Sequence, residues 1–491
     1  MADGMRDADV LVVGSGIAGL TTARRAQQLG LRVTVLDKGA EAPGSSNARV
    51  SQGFLSAAYL PMDTDPEILK AYGREVTSDL GREELIDTWA ENAGRALDWI
   101  LSEGIEADTI LPDSDQRYLL PFVPGTPGLR FFDRDRGPDR AMTLHATRFV
   151  EAGGTYLAQT RATELLTEGD AVVGVVAWGP KGRFELRAPA VVLADGGFQG
   201  NPEMLRRYIG PAADRVKLRS LASQTGDGIR MGLAIGAAVA NMEWFYGHML
   251  SLDSIENDDL WPYPAMDGPI KNGMLVGPDG RRVANEDGSG TGLTRPAMGG
   301  IALSNALTKT SDPRSYIAVL DAPAWAGSQW KDSPAQYLGT FSANPAIVDA
   351  GGRVYEADDL VSLAALAGID AEGLVATVEE FNAAVRSGTT EQLAIPRGGT
   401  PRVIETAPFY AIPVVPGLTY TLGGLLVTPD AQVRREDETP IPGLYAVGGT
   451  MGGMAGGPRG GYFGGLGEGT IFGLLAAEHI ASLKPAVAAA Q

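Results

Sequence analysis

The 491-residue sequence predicts an α/β protein built on a parallel, Rossmann-like nucleotide-binding sheet. Three observations carry that expectation. A strand, glycine turn, helix and second strand occupy residues 10–37; a second glycine-dense segment, 452–469, leads into an apolar helix; and the stretch between 249 and 397 has no nucleotide motif.

The apolar run Val10 to Val13 reads as a buried strand, and Leu20 to Leu29 as the helix that follows Gly14-Ser15-Gly16-Ile17-Ala18-Gly19. Arg32 to Leu36 returns to strand and closes on Asp37. This is G-x-G-x-x-G between a strand and a helix, with an acid about 20 residues on. Gly14 permits the tight turn, Gly16 lets a pyrophosphate approach the backbone, and Gly19 lets helix and strand pack closely. The helix start offers free N–H groups and a positive dipole end. Asp37 is placed to hold a ribose hydroxyl.

Composition narrows the function. Net charge is −19, from 41 basic against 60 acidic residues, and the basic ones are scattered, which speaks against nucleic-acid binding. Cysteine is absent, so disulfides, iron–sulfur clusters and thiolate zinc sites are excluded. Three histidines, His145, His248 and His479, are too dispersed to predict a metal site. The polar start lacks a signal peptide's basic and apolar regions, and no apolar run reaches spanning length, so a cytoplasmic protein without stable membrane insertion is expected.

Two features favour FAD over NAD. Pro43 to Ala48 forms a small polar loop able to cap a pyrophosphate from its other side. Far away, Ile441 to Gly449 reads as a turn and buried strand running into the glycine-dense segment, then an apolar helix from Thr470 to Leu483. FAD is long and recruits such a second segment for its flavin end. A helix starting near Gly469 could aim its positive end at the N1–C2=O edge.

Ordered matches along the chain resemble the FAD-dependent fumarate reductase and 3-ketosteroid dehydrogenase superfamily, closer to its ketosteroid dehydrogenase-like branch. They are Asn92 to Gly104 (W-L-x-x-x-G helix), Ala190 to Phe198 (A-T-G-G-F, with Asp195 for Thr), Thr225 to Gly232 (T-G-D-G-x-x-M-A) and Asp279 to Glu286 (G-x-R-F-x-N-E). Gly368 to Val385, Thr421 to Leu425 and Pro440 to Gly448 continue the series, and Gly465 to Gly473 is similar to the S-L-x-D-G-x-x-F-G of 4-dehydrogenases. The resemblance implies a glutathione reductase-like FAD domain from residues 1–245 and 396–491, with an α+β capping domain inserted at 246–395. It assigns FAD to Gly14, Gly16, Ile17, Ala18, Gly19, Asp37 and Lys38, and to Ser45, Ser46, Asn47 and Gly53 in the next loop. Ala194, Gly196 and Asp227 follow, then Gly448, Gly464, Leu466 and Gly467. Members with covalent flavin use a His after the first acid; residues 38–60 contain none, so a noncovalent link is expected.

Departures from the fumarate reductase pattern shape the expected substrate. His248 is kept, but the neighbouring Gln is Tyr246, the second carboxylate-binding His is Tyr420, and the proton-donating Arg falls at Gly290, with no Arg until Arg295. Arg459 is one residue out of register with the last family Arg. A small dianion needs those fixed charges, so fumarate is not the expected substrate. Tyr118, Trp244, Phe245, Tyr246, Met249, Trp261, Tyr263, Tyr420 and Tyr462 make an aromatic and apolar set instead, although the branch's Tyr after N-E is replaced by Ser289 and Gly290.

The expected chemistry is dehydrogenation beside a carbonyl, in a ketosteroid or cyclic ketone, with the β hydride going to flavin N5. Tyr462 would take the α proton, and Tyr420 and the Gly424 amide would polarise the carbonyl. His248 would assist directly or through a relay, with Tyr118, Trp244, Tyr246 and Arg459 lining the pocket. The two family domains account for the length, so electrons are expected to leave to O2 or a separate acceptor. Open alternatives are reduction of an activated alkene, a tricarballylate-type polyacid dehydrogenase anchored by Arg282, Arg295 or Arg459, and a non-catalytic FAD-binding protein.

Overall fold

The structure, a computed structural model, describes residues 8–109, 117–119, 137–287, 296–328 and 343–483. Its main sheet runs Gln432–Arg434, Pro440–Ala446, Ala190–Leu193, Val10–Val13, Val33–Leu36, Thr155–Leu157. All neighbours are parallel except the first pair. Val10–Val13 is central and wholly buried, as a strand covered on both faces must be. Residues far apart in the chain lie side by side here, Val191 opposite Leu444. A three-stranded antiparallel sheet, Arg161–Glu168, Ala171–Gly179 and Gly182–Arg187, packs beside it.

The first helix spans Ile17–Gln28 and the last Gly465–Ser482, the latter beginning four residues before the expected start at Gly469. Gly465, Gly467, Gly469 and Gly473 all lie in that helix, against their weak intrinsic propensity. Packing explains it. A Cβ on Gly469 would meet Ile17 Cγ2 at 3.0 Å, and one on Gly473 would meet the Ala18 carbonyl oxygen at 2.8 Å. The glycines let the helices of the two chain ends cross closely over the nucleotide turn.

A second sheet is mixed. Phe409–Thr421 is its long central strand, flanked by Tyr316–Asp321 and then Met274–Val276, with Phe245–Ser251, Tyr355–Ala357 and Lys217–Leu218 also pairing to it. Residues along Tyr316–Asp321 alternate between two cores. Ala318 and Leu320 join Leu303 and Trp325, whereas Ile317 and Val319 join Leu374 and Phe381. The strands of this sheet come from distant parts of the chain, Phe245–Ser251 beginning at residue 245 and Phe409–Thr421 lying beyond residue 396. The end of the long strand, Thr419 to Thr421, reaches the cavity described below. No described helix is long and apolar enough to cross a membrane.

Candidate active site

A cavity of about 610 Å³ runs from the nucleotide turn to the second sheet. Gly14, Gly16, Ile17, Ala18, Asp37 and Lys38 line one end, followed by Ser45, Ser46, Asn47 and Gly53. Ala194, Gly196, Asp227, Gly448 and Leu466 complete the set of predicted cofactor residues that reach it. Gly19, Gly464 and Gly467 lie behind the wall. A Cβ at Gly19 would strike the Gly14 carbonyl oxygen at 2.1 Å, and Cβ atoms at Gly464 and Gly467 would meet that of Ser56 at 2.1 and 2.7 Å.

Asp37 accepts hydrogen bonds from the Ser15 amide at 2.9 Å, the Ser15 hydroxyl at 2.6 Å and the Gly39 amide at 2.7 Å. Its carboxylate is thereby held at the strand end. Burial alone would raise Asp227, but hydrogen bonds from Arg161, Arg230 and Lys38 outweigh it and hold the carboxyl below its ordinary range.

Several buried polar atoms in the wall have no partner among the described residues: Ser46 Oγ, Ser56 Oγ, Gln199 Oε1, Gln224 Oε1 and Tyr420 Oη. Buried polar groups are normally satisfied, so a cluster of orphans along one cavity is what a polar, elongated ligand would complete. These residues fit FAD.

The other end is aromatic. Tyr246 and His248 alternate onto one face of Phe245–Ser251, and Tyr246 stands opposite Tyr420 on Phe409–Thr421. Tyr246 stacks on Tyr462 with ring centroids 4.4 Å apart, and Tyr59 lies 4.9 Å from Tyr462. Burial pushes the Tyr462 hydroxyl well up, and Tyr246, Tyr263 and Glu468 add to that. Burial likewise raises Tyr246, but Arg219 opposes the shift.

A hydrogen-bonded chain runs through Tyr246, whose hydroxyl also accepts from the Tyr59 hydroxyl at 3.4 Å. His248 Nδ1 lies 2.5 Å from Asp267 Oδ2, and His248 Nε2 lies 2.9 Å from the Tyr246 hydroxyl. With Nδ1–H donating to the carboxylate, Nε2 is left as acceptor for the phenol. Asp267 also accepts from the Met249 amide at 2.9 Å, which fixes it from the strand itself.

Four predicted residues stand elsewhere or beyond description. Gly424 does not line the cavity; it pairs opposite Ala240 in a three-stranded sheet, where a Cβ would meet the Thr450 carbonyl oxygen at 2.3 Å. Its glycine serves close strand packing. Trp244 also lies outside, with the Lys309 ammonium 3.7 Å from its ring centroid. Arg459 is half-buried in the glycine segment and does not line the cavity. Tyr118 pairs opposite Phe54 in a short strand, its side chain outside the described residues. Ser289, Gly290 and Arg295 also lie outside them. Arg282, weighed as a polyacid anchor, is bound to Glu286 at 2.6 Å. Of the remaining aromatic set, Trp261 and Tyr263 line the cavity, whereas Phe245 and Met249 are core residues.

Asp267, Arg219, Tyr59 and Glu468 line the cavity without having been singled out from sequence. Asp267 follows His248 by 19 positions with no local motif, and Arg219 is one of 41 basic residues. Glu468 had a signal, since it occupies the acid position of the S-L-x-D-G-like pattern.

Burial pushes the Glu468 carboxyl up to about 8, and Asp195, also buried, up to about 6. An unfolded chain releases the Glu468 proton near 4.5. Below that pH both states keep it; above it the unfolded state loses it first, so stability falls until the folded acid ionises at about 8. Asp195 contributes with the same sign between about 4 and 6. Glu468→Gln is therefore expected to flatten the fall of the apoprotein's melting temperature across this window. A variant profile parallel to wild type from pH 5 to 8 would contradict it.

With this geometry in hand, the comparisons place the chain. It belongs to the FAD binding domain family whose match spans residues 9–462. It is 26% identical over 488 residues to a probable fumarate reductase of Shewanella frigidimarina, covering 96% of this chain and 74% of that one. It is 25% identical to a 3-oxosteroid 1-dehydrogenase of Mycolicibacterium smegmatis, covering 96% and 97%. Among solved structures, a 3-ketosteroid-Δ4-(5α)-dehydrogenase from Rhodococcus jostii superposes with TM-score 0.72 at 22% identity, covering 98% of both chains. The open conformation of a flavocytochrome c3 fumarate reductase gives 0.66 at 23%, covering 98% and 79%. The protein is an FAD-dependent oxidoreductase of the fumarate reductase and ketosteroid dehydrogenase superfamily.

Proposed function

We propose that this protein desaturates the bond α,β to the carbonyl of a compound such as a ketosteroid or cyclic ketone, with noncovalently held FAD. The observation that carries the reading is the Asp267–His248–Tyr246 chain ending in an aromatic cavity. FAD supplies the two-electron acceptor, at flavin N5. Tyr246 takes the α proton at its hydroxyl oxygen while passing its own to His248 Nε2, and Asp267 balances the imidazolium that results. Expected from sequence at Tyr462, the proton acceptor is better supported at Tyr246. A buried phenol is a poor base without a cation or relay, and Tyr246 has both Arg219 and His248. Tyr462, Tyr59 and Tyr420 then form apolar walls with polar edges.

Two observations bear on the alternatives. A dianion needs two free cations, yet Lys38, Arg161 and Lys271, which line the cavity, are each paired to a carboxylate. Raised phenols are held protonated, which favours a second reading, reduction of an activated alkene with the same chain delivering the proton.

Anaerobic addition of 3-ketosteroids and cyclic ketones is expected to bleach the flavin band at about 450 nm. Bleaching by saturated polyacids alone would overturn the reading. Inertness toward all of these, with reoxidation of the reduced flavin by an enone or enoate, would turn the assignment to the reductase. The same panel includes a non-catalytic outcome: no response in either direction. In the proposed dehydrogenation, the reduced flavin passes its electrons to O2 or a separate acceptor.

A further inference from the structure

Arg219 is buried, at 6% exposure, and lines the cavity beside Tyr246 and Tyr263. Its Nε donates to the Pro262 carbonyl at 2.8 Å and its Nη1 to the Thr419 hydroxyl at 2.8 Å. The guanidinium carbon sits 4.6 Å from the Tyr263 ring centroid. These contacts come from two segments and fix the head group, but none is an anion. Nη2 has no hydrogen-bond partner among the described residues. Among the described residues, every other Lys or Arg lining the cavity is paired: Lys38 and Arg161 with Asp227, and Lys271 with Asp287.

A buried cation held rigidly and left without a counter-charge is expensive to maintain unless an anion completes it. The charge is close enough to Tyr246 to oppose the rise of its phenol. An anionic oxygen at Nη2 would therefore form next to the group that takes the proton. Loss of a proton α to a carbonyl creates such an oxygen, as the C–H pair moves into the C=C of an enolate and the carbonyl π pair moves onto oxygen. A donor already aimed at that charge needs no reorganisation.

We propose that Arg219 is the oxyanion donor of this site, receiving the substrate's carbonyl oxygen on Nη2 as it gains negative charge. This rests on the proposed dehydrogenation and takes the place of the Gly424 amide in it. It also selects substrates: the activating group must reach a single, planar, charged donor flanked by Tyr263.

Substituted phenols of graded acidity test it without turnover, because a bound phenolate carries the charge of an enolate oxygen on an aromatic body. Binding is followed on the oxidised holoprotein through phenolate absorbance and perturbation of the flavin band. Wild type is expected to favour the more acidic phenols, with 4-nitrophenol bound as the anion. Arg219→Met should weaken 4-nitrophenolate by about 10- to 100-fold and flatten the dependence on acidity. Un-ionised phenol should lose less than about 3-fold. Arg219→Lys keeps the charge and should restore part of the preference, and the FAD-to-protein ratio shows that each variant is folded. Equal weakening of phenol and phenolate, an unchanged slope in Arg219→Met, or a wild type that binds no phenolate would overturn the proposal. Because no substrate is turned over, an Arg219-dependent slope would stand even where ketones fail to bleach the flavin. Bleaching without that slope would remove only Arg219.

Discussion

Tyr246→Phe is expected to lower the rate of flavin bleaching by a reactive ketone by about 10³-fold while leaving FAD bound. The size follows from the range for removing a positioned acid–base group, about 10² to 10⁴. Phenylalanine keeps the ring stacked on Tyr462 at 4.4 Å and the cavity's shape, and deletes only the oxygen 2.9 Å from His248 Nε2. Stopped-flow mixing under anaerobic conditions measures the bleaching step itself, free of the unknown electron acceptor. Asp267→Asn should fall in the same direction, because an amide N–H presented to Nδ1 would place the imidazole proton on Nε2, where Tyr246 needs an acceptor. Tyr462→Phe distinguishes the two phenols. Were it the slower variant, with Tyr246→Phe within about 5-fold of wild type, the proton acceptor would return to Tyr462.

The second large effect is on cofactor retention. Gly14 has φ +101°, and a Cβ there would lie 2.5 Å from the Ala194 carbonyl oxygen and 2.7 Å from Asp195 Cα. Both obstacles are backbone of the neighbouring strand's end, so no rotamer change relieves them. Gly14→Val should therefore yield protein without FAD, destabilised by about 3 kcal/mol from strain and overpacking together. Gly30 is the control. Its φ is +80°, but a Cβ there meets nothing within 4 Å, so Gly30→Ala should stay yellow with a loss of about 1 kcal/mol. The absorbance ratio of flavin to protein and a denaturant midpoint read both effects. A Gly14→Val protein carrying stoichiometric FAD would show that the turn can open without disturbing the site.

The cofactor end was more legible in the sequence than the reactive end, and the reason is local. Gly14, Gly16 and Asp37 act through a strand, a turn and a helix that are contiguous in the chain, so their spacing reports their geometry. The glycine-dense C-terminal segment was legible as a place of close backbone approach, but its helix begins at Gly465 because packing on Ile17–Gln28 overrides four weak helix formers. Gly424 shows the limit of motif transfer. Its identity reflects the close passage of Thr450 and Met451, which the T-x-G-G-L pattern cannot distinguish from a role toward substrate. That Phe409–Thr421 would pair with strands as distant as Phe245–Ser251 and Tyr316–Asp321 was not legible either, because the pairing joins segments far apart in the chain.

By itself, then, the sequence determined the nucleotide-binding unit, the preference for FAD over NAD, and the superfamily. Each depends on residues near one another in the chain or on an ordered series of motifs. Only the tertiary structure decided which charges are spent and which are free. It set Asp267 against His248, left Arg219 without a counter-ion among the described residues and buried Glu468, since these arrangements join residues from separate segments. Burial and partnering control a group's proton affinity, and neither quantity exists until the chain has folded.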